Sequence, residues 1–416
     1  MRSVADHLAA VLAATRPIAP LDVVLDDAAG RVLAADVTAP EGVPAHPVAD
    51  CDGYAVRAAD LPEGSGETRL AVVDDARVTA AAPVRLTAGT AVLVDTGAPL
   101  PRGADAVVPM ARTDGGSAQV VVTGGVVVGE HVGATGRDVA AGQAVLRRGV
   151  LLGARHLAVA AAVGRSRLWV HPAPRVVVVT VGEELVDPGR RRSEGSVHDA
   201  DGHALVAAAR DAGARAVRVG PVGDDRAPLR EVVTDQLVRA DVLVLTGGLS
   251  PGLRDTVPDV LAPLGVRFEA VAMSPGGRQG FGVVSAGPPV GEDDDQTPAA
   301  EEVLVFALPG HPVAALVSFE VFVRPALLAM GGHAQRFRPT VQARAASSWR
   351  TEPGLRQVVP VTVSGTTAQG YSVIPLGDPA RASLAALAQA NALALVPEET
   401  TEVAVSDTLT CMLLDG

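Results

Sequence analysis

The sequence predicts an α/β protein with additional β domains, because three kinds of pattern follow one another along its 416 residues. Residues 175–330 alternate short apolar runs with helical segments, as expected for a parallel sheet covered by helices on both faces. Residues 48–132 hold evenly spaced valine-rich runs between Gly, Pro and Asp, which is typical of a small barrel. We therefore expect a three-layer α/β domain with an inserted β-barrel-like domain, a helical and extended N-terminal domain, and a C-terminal β domain.

The domain boundaries follow from prolines and from changes of pattern. An amphipathic helix ends before Pro17, and Pro44 and Pro47 make a stiff extended crossing because proline fixes φ. A second helical piece at 153–163 is expected to rejoin the first, with the β unit inserted between them. Residues 332–416 return to a β pattern with one helix near 380–391. The predicted domains are 1–45 plus 133–171, 46–132, 172–331 and 332–416.

Composition limits the classes of partner. The net charge of -12, from 35 basic and 47 acidic residues, argues against nucleic acid. No lysine is present, so every basic side chain is an arginine. Cys51 and Cys411 give neither a disulfide framework nor a zinc motif, which fits a reducing cytosol. No apolar run reaches the ~20 residues that span a bilayer. We therefore expect a cytoplasmic protein without a membrane partner.

The stretch 240–261 organises the α/β region. An apolar run at 241–245 predicts a buried strand, a Thr-Gly-Gly turn follows at 246–248, and a helix begins near Thr256. Such a strand, turn and helix start are suited to an anion. Asp255, just before the helix, would repel a phosphate unless a cation lay between them. This juxtaposition predicts an anionic ligand bridged by a metal ion.

Other strands of this region also end in turns that carry carboxylates, Glu183 with Glu184 and Asp224 with Asp225. The carboxyl ends of parallel strands meet at one edge, so these side chains and Asp255 should converge. Each acid alone also fits a helix cap, and only the shared edge favours a Mg²⁺ and phosphate site. The acidic run 291–296 is interpreted instead as a solvated loop insertion.

Together these motifs resemble those of the molybdopterin molybdenumtransferase family, which includes the E domain of gephyrin. The resemblance covers nearly the whole chain and the order of its domains. Its motifs are Asp52-Gly53-Tyr54-Ala55, Thr96-Gly97-Ala98-Pro99-Leu100-Pro101, Gly136-Arg137-Asp138, Gly182-Glu183-Glu184-Leu185, Gly223-Asp224-Asp225, Thr246-Gly247-Gly248-Leu249-Ser250-Pro251-Gly252 with Asp255, Ser274-Pro275-Gly276 and Leu308-Pro309-Gly310-His311-Pro312-Val313.

The resemblance implies a homodimer of four-domain chains whose α/β domain binds molybdopterin. Its active cleft would lie between the β insertion of one subunit and the α/β and C-terminal domains of the other. The implied reaction takes adenylylated molybdopterin and molybdate, requires Mg²⁺, releases AMP and leaves molybdenum on the dithiolene. Molybdopterin adenylyltransferase is then the expected functional partner.

Site residues carry over position by position from this resemblance. The implied catalytic residues are Asp52, Thr96, Asp138 and Glu184. The implied metal ligands are Asp224, Asp255 and again Glu184. The implied substrate-binding residues are Thr246, Gly247, Gly248, Ser250, Pro275, Gly276, Arg278, Pro309 and Gly310.

The sequence also departs from the family pattern. Ala270, Ser274 and Gly277 stand where the family usually has lysines facing phosphate and molybdate, and Arg278 is the cation nearby. Acids also stand at Asp50 and Asp201, the latter at the third position of the family's Asp-Thr-Asn motif, and His311 replaces an asparagine. Three hypotheses for the function therefore stay open. The chain is an active transferase, an impaired paralogue that binds molybdopterin or serves as a scaffold, or a different enzyme that acts on a phosphorylated ligand with the same α/β domain.

Overall fold

The computed structural model describes residues 1–76, 85–249, 256–286, 301–381 and 383–414. Contacts divide the chain into two compact units. The first contains residues 1–21, 30–32 and 170–416, and the second contains residues 22–29 and 33–169. The β-rich insertion belongs to the second unit, and the α/β and C-terminal regions belong to the first.

The N-terminal part of the chain consists of short elements around the insertion. Ser3 caps the first helix by accepting a hydrogen bond from the Asp6 amide at 3.0 Å. The elements before the insertion are α1 (Val4–Ala14), β1 (Leu21–Val24), α2 (Leu25–Ala28), β2 (Val32–Leu33), β3 (Val37–Thr38) and β4 (Val48–Ala49). Those after it are β10 (Val132–Gly133), β11 (Ala144–Leu146), α3 (Ala154–Ala162) and β12 (Arg167–His171).

The insertion itself folds as a five-stranded sheet with apolar clusters on both faces. Its strands are β5 (Gly53–Val56), β6 (Glu67–Ala76), β7 (Thr90–Val94), β8 (Ala106–Pro109) and β9 (Gln119–Thr123), paired in the order β8-β5-β7-β6-β9. Alternate residues of one strand point to opposite faces. Tyr54 and Val56 pack into one cluster, whereas Ala55 packs into the other. Each face of the sheet is therefore covered by its own apolar cluster.

The α/β region alternates strands and helices as the sequence predicts. Its first elements are β13 (Arg175–Val181), β14 (Leu185–Val186), β15 (Val197–His198), α4 (Asp201–Asp211), β16 (Arg215–Val222), α5 (Arg226–Leu237), β17 (Val242–Thr246) and α6 (Thr256–Leu261). They are followed by β18 (Arg267–Ala270), β19 (Met273–Ser274), β20 (Arg278–Ala286), β21 (Glu301–Leu308), α7 (Pro312–Ser318), a π-helical turn (Phe319–Val323) and α8 (Arg324–Met330).

Six strands form the central sheet in the order β16-β13-β17-β21-β20-β18. The first four are parallel, and β20 and β18 run antiparallel at one edge. Val178 and Val244 pack on one face with α4 and the helices after β21, whereas Val179 and Leu245 pack on the other face with α5 and α6. The three-layer architecture is thereby confirmed. The antiparallel edge was not predicted, because apolar runs do not encode strand direction.

The helical run Pro312–Met330 is long and apolar enough to span a bilayer by length and composition alone. However, 78% of its most apolar stretch is buried inside the fold. Phe319 and Phe322 are fully buried against the central sheet cluster. The run is therefore a core helix of the α/β region.

The C-terminal region forms a closed barrel. Its elements are β22 (Thr340–Ala345), β23 (Trp349–Arg350), β24 (Arg356–Thr366), β25 (Gly370–Pro375), α9 (Leu384–Gln389), β26 (Ala392–Val396), β27 (Glu402–Val403) and β28 (Thr408–Leu413). The order β24-β25-β22-β28-β26 closes because β24 also pairs with β26. The β pattern predicted for residues 332–416 is confirmed.

Candidate functional site

The carboxyl ends of three parallel strands lie in register at one edge of the central sheet. Thr180 of β13 pairs with Thr246 of β17, and Thr246 pairs with Leu308 of β21. The turns that follow these strands therefore begin side by side. We call this surface the carboxyl edge and define it as residues 182–184, 224–225, 246–248 and 309–310. In open α/β sheets this edge is the usual place for a ligand.

Two glycine turns of the carboxyl edge are packed backbone against backbone. A Cβ atom on Gly310 would lie 2.9 Å from the Cα atom of Gly247. A Cβ atom on Gly247 would lie 2.1 Å from the carbonyl oxygen of Val181, and Gly247 has a φ of 93°. Only glycine fits such a position. The predicted binding residues Gly247, Gly310 and their neighbours thus come together in space.

A buried polar network lies beneath these turns. Asp199 accepts hydrogen bonds from the Thr180 hydroxyl at 2.9 Å and from the Arg218 guanidinium at 2.6 Å. Asp201, only 7% exposed, has an Oδ2 atom 2.7 Å from the Oγ1 atom of Thr246. The sequence identified Asp201 only as a departure from a family pattern. Asp201 is the first residue of α4 and follows a strand end, and this position could have identified it as a site residue.

Two of the predicted acids belong to adjoining turns of the same edge. Asp224 accepts a hydrogen bond from the Glu183 amide at 3.3 Å. The carboxylate of Glu184 lies over Gly182, where a Cβ atom would be only 2.7 Å from Oε2. Asp225 instead caps α5 by accepting from the Ala227 amide at 3.3 Å. Glu184 and Asp224 therefore fit a ligand-facing role, whereas Asp225 fits the helix-cap alternative.

The complete predicted metal set is not assembled by the residues that the structure describes. Asp255 and Ser250 lie outside them, as does the acidic run 291–296. Among the described residues, no group of three His, Cys, Asp or Glu side chains could hold a metal ion. A magnesium site formed by Glu184, Asp224 and Asp255 consequently stays a prediction.

In the second unit, Asp52 and Thr96 form a tight pair at the ends of neighbouring strands. Asp52 Oδ1 accepts hydrogen bonds from both the amide and the hydroxyl of Thr96, each at 2.7 Å. These two bonds, the hydroxyl first, hold the pKa of Asp52 below its ordinary value. Gly53 is required beside them because a Cβ atom there would lie 2.0 Å from the Val108 carbonyl oxygen. Asp52 is therefore an exposed and firmly ionised carboxylate.

Asp138, also in the second unit, lies beside an arginine that neutralises an additional acid. Arg137 donates to Asp50 Oδ1 at 2.6 Å, and its Nε atom lies 3.6 Å from Asp138 Oδ1. The bond to Asp50 raises the pKa of Arg137. Asp50 is one of the acids by which the sequence departs from the family pattern. Its ion pair with Arg137 offsets that charge locally.

The segment 274–277 is a rigid loop rather than a flexible connection. Gln279 is fully buried and donates to the Gly276 carbonyl oxygen at 2.6 Å and to the Ser318 hydroxyl at 2.8 Å. A Cβ atom on Gly276 would lie 2.8 Å from Ser318 Oγ. Arg278 follows as the first residue of β20 and pairs with Ala270 of β18. The predicted binding residues Pro275 and Gly276 are therefore held in place.

Next to this loop, a cleft of about 100 Å³ opens between the α/β region and the barrel. Ser274 pairs with Gln357 of β24, which brings the loop onto the barrel. The cleft is lined by Ser274, Pro275, Val313, Gln357, Val358, Val359, Pro360, Leu376, Asp378, Pro379, Ala380, Arg381, Ser383 and Ala386. Arg381 is a cation that sequence reasoning missed, because it lies over a hundred positions away from Ser274. The cleft therefore contains a guanidinium where lysines are absent.

Comparisons with known families agree with this arrangement over almost the whole chain. Residues 2–164 match the MoeA N-terminal region (domain I and II). Residues 177–329 match a probable molybdopterin binding domain, and residues 342–414 match the MoeA C-terminal region (domain IV). The chain therefore belongs to the MoeA family, the molybdopterin molybdenumtransferases of molybdenum cofactor biosynthesis.

Individual relatives extend over the full length of the chain. Molybdopterin molybdenumtransferase 2 of Mycobacterium tuberculosis is 37% identical over 418 residues, covering 98% of both chains. Molybdopterin molybdenumtransferase 1 of the same organism is 38% identical over 420 residues and 95% of both chains. A crystal structure of a molybdopterin biosynthesis MoeA protein from Pyrococcus horikoshii has a TM-score of 0.81 and 26% identity, covering 100% of this chain and 99% of that one. The resemblance inferred from the motifs is thus confirmed.

Proposed function

We propose that this chain transfers molybdenum from molybdate to adenylylated molybdopterin, with Mg²⁺-dependent hydrolysis of the adenylate and release of AMP. The observation that carries the proposal is the carboxyl edge. There the close-packed Gly247 and Gly310 adjoin the turns of Glu184 and Asp224. This edge lies in the region that matches the probable molybdopterin binding domain. A side-chain-free turn beside acids suits a phosphorylated ligand that arrives with a divalent cation.

At this edge, we assign metal binding to the acidic residues and ligand binding to the glycine turns. Glu184, Asp224 and Asp255 would hold Mg²⁺ through carboxylate oxygens, the ligand type that this ion prefers. The ion would supply positive charge against the pyrophosphate of the adenylate. The turn 246–248 lets the ligand approach the backbone because Gly247 and Gly248 have no side chains. Pro309 and Gly310 lie directly beside this turn, in the turn that follows β21.

Asp52, Thr96 and Asp138 are the proposed catalytic residues of the second unit. The Thr96 hydrogen bonds keep Asp52 ionised, and an ionised carboxylate can accept a hydrogen bond from an attacking water and so orient it. Asp138 is exposed beside Arg137 and would orient a polar group of the substrate. Thr96 acts on Asp52 itself, and so it fixes the direction of the carboxylate that would orient the water.

Molybdate is proposed to bind in the cleft beside the loop 274–277. Ser274 contributes a hydroxyl, Arg381 a guanidinium and Gln357 an amide to the lining. Arginine binds tetrahedral and planar oxyanions through charge-assisted hydrogen bonds. Arg381 and Arg278 would thus supply the positive charge that lysines provide elsewhere in the family.

Assembly and location are further parts of the proposal. We propose a homodimer by analogy with the family, and light scattering of the purified chain would test it. Adenylylated molybdopterin must be made by an enzyme that transfers AMP to molybdopterin, so molybdopterin adenylyltransferase is the proposed functional partner. Cytoplasmic location agrees with the free cysteines Cys51 and Cys411.

The deciding experiment is a conversion assay with purified protein, adenylylated molybdopterin, Mg²⁺ and molybdate. We expect AMP release that requires both Mg²⁺ and molybdate, with molybdenum left on the dithiolene. A folded protein that binds adenylylated molybdopterin but releases no AMP at any molybdate concentration would contradict the proposal and support the binding or scaffold alternative. Full-length similarity to proteins named as transferases favours the enzyme.

A further inference from the structure

The hydroxyl of Thr246 lies between two oxygen atoms. Its Oγ1 atom is 2.7 Å from Asp201 Oδ2 and 2.9 Å from the carbonyl oxygen of Pro309. A hydroxyl carries one proton, and a carbonyl oxygen can only accept. If Asp201 were ionised, the single proton of Thr246 would have to serve two acceptors. A proton on Asp201 resolves this conflict, because the acid then donates to Thr246 and Thr246 donates to Pro309.

The surroundings of Asp201 disfavour its charged form. The residue is 7% exposed, and its Oδ1 atom has no hydrogen-bond partner among the described residues. An ionised carboxylate without partners is costly to bury. Burial raises the pKa of Asp201 to about 6, the Thr246 hydrogen bond opposes this, and the charge of Asp199 adds to it. Geometry and electrostatics therefore indicate the same protonation state at mildly acidic pH.

Among the residues that the structure describes, the charged groups around Asp201 do not offer it a counterion. Arg218 of β16 donates to Asp199 at 2.6 Å and also to Asp187. Asp199 further accepts from the Gly202 amide at 2.9 Å. His203, on the same helix as Asp201, acts electrostatically on Asp187. From the ends of β17 and β21, the described partners are the hydroxyl of Thr246 and the carbonyl of Pro309, neither of which titrates.

We propose that Asp201 is a positioning residue that holds a proton in the folded state at mildly acidic pH and then joins the ends of β17 and β21 through Thr246. The joined ends carry the two turns in which Gly247 and Gly310 touch. When the proton leaves, the carboxylate takes the hydrogen bond of Thr246 and the Pro309 carbonyl loses its donor. The hydrogen bonding that joins the two strand ends therefore depends on pH, and ligand binding at the carboxyl edge should depend on it as well.

The protonation of Asp201 is independent of the proposed function, whereas its effect on ligand binding rests on that function. Asp201→Asn gives a chain in which the amide donates to Thr246 at every pH. The exposed acid Asp235 on α5 offers the matched control Asp235→Asn. All three full-length proteins would be unfolded in urea between about pH 5 and about pH 8, where ordinary Asp groups stay ionised.

The sign of the expected shift follows from the raised pKa. A raised folded-state pKa adds stability that is lost as pH rises through that pKa. The urea midpoint of the wild type, relative to that of Asp201→Asn, should fall as pH rises from about 5 to about 6 and should then stay level. Asp235→Asn should follow the wild type. Parallel curves for the wild type and Asp201→Asn would overturn the proposal.

Two further measurements complete the test. The first needs no variant and so does not depend on Asp201→Asn folding, and the second separates this proposal from the proposed function. Carbon-13 NMR of the wild type should show one aspartate carboxyl group that titrates near pH 6; its absence would overturn the proposal without any variant. Calorimetry with AMP as the probe should show weaker binding to the wild type at about pH 8 than at about pH 5.5, with no such loss in Asp201→Asn. If AMP does not bind at any pH but the stability curves still diverge, the proton on Asp201 is supported and the proposed function fails separately.

Discussion

Gly247 and Gly310 touch through their backbones, with 2.9 Å between the Gly247 Cα atom and the place where a Gly310 Cβ atom would be. This contact joins the turns that follow two neighbouring parallel strands. It leaves a surface of main chain without side chains at the centre of the carboxyl edge. The contact fixes the edge before any ligand binds, so it can be tested through stability alone.

Gly310→Ala should destabilise the chain because its added methyl group meets rigid backbone. Overpacking of this kind typically costs about 1–3 kcal/mol. The matched control is Gly223→Ala, where the nearest atom to a new Cβ would be 3.8 Å away, an ordinary contact distance. Urea unfolding of both variants measures the difference. Equal stability of the two would show that the Gly247 turn can move away at little cost.

Thr96→Val should reduce stability near neutral pH, with a smaller effect in acid. The Thr96 hydrogen bonds hold the pKa of Asp52 low, so their contribution is present above the ordinary Asp pKa and is lost as pH falls through the folded-state value. Urea midpoints measured from about pH 7 to about pH 3 should therefore converge. Thr123→Val, an exposed threonine on β9, is the control. A difference from wild type that does not change with pH would contradict this assignment.

Asp224→Asn should weaken the Mg²⁺ dependence of adenylate binding and slow AMP release. Loss of one carboxylate ligand lowers affinity for a hard divalent cation, so the Mg²⁺ concentration for half-maximal activity should rise at least about tenfold. Asp225→Asn should behave like the wild type, since asparagine caps a helix as well as aspartate does. If both variants keep the normal Mg²⁺ requirement, Asp224 is not a metal ligand.

Arg381→Gln should weaken molybdate binding in the conversion assay. A hydrogen bond to a charged group contributes about 1.5–3 kcal/mol, and solvent screening of this exposed side chain lowers the expected loss to about 3- to 10-fold. Arg350→Gln, an exposed arginine of β23 that does not line the cleft, is the control. An unchanged dependence on molybdate concentration would remove Arg381 from the proposed site.

Ser274→Lys should tighten molybdate binding by about 10-fold or more, because it adds a cation to the cleft beside Arg381. The second replacement, Gly277→Lys, is less favourable. A Cβ atom on Gly277 would lie 3.2 Å and 3.4 Å from the carbonyl oxygens of Met273 and Val271. We therefore expect Gly277→Lys to lose stability that Ser274→Lys keeps. Ser274→Gln provides a neutral control of similar reach.

The sequence predicted the α/β domain well because its strands are continuous apolar runs between glycine turns and helices. Parallel strands buried on both faces leave this local pattern, so the strand at 241–245 and its turn were located to within a residue. The local sequence pattern did not predict the strand direction at the sheet edge or the closure of the C-terminal barrel. Both depend on pairing between distant segments, such as β24 with β26.

For the site, the sequence by itself determined which residue types stand at the strand ends, including Glu184, Asp224 and the Gly247 turn. Tertiary structure decided what those residues do. It made Asp225 a helix cap, paired Asp50 with Arg137, and brought Arg381 beside Ser274. It also placed Asp201 where one hydroxyl proton must serve two oxygens. Charge, burial and proton sharing depend on neighbours that are far apart in sequence, and only folding brings them together.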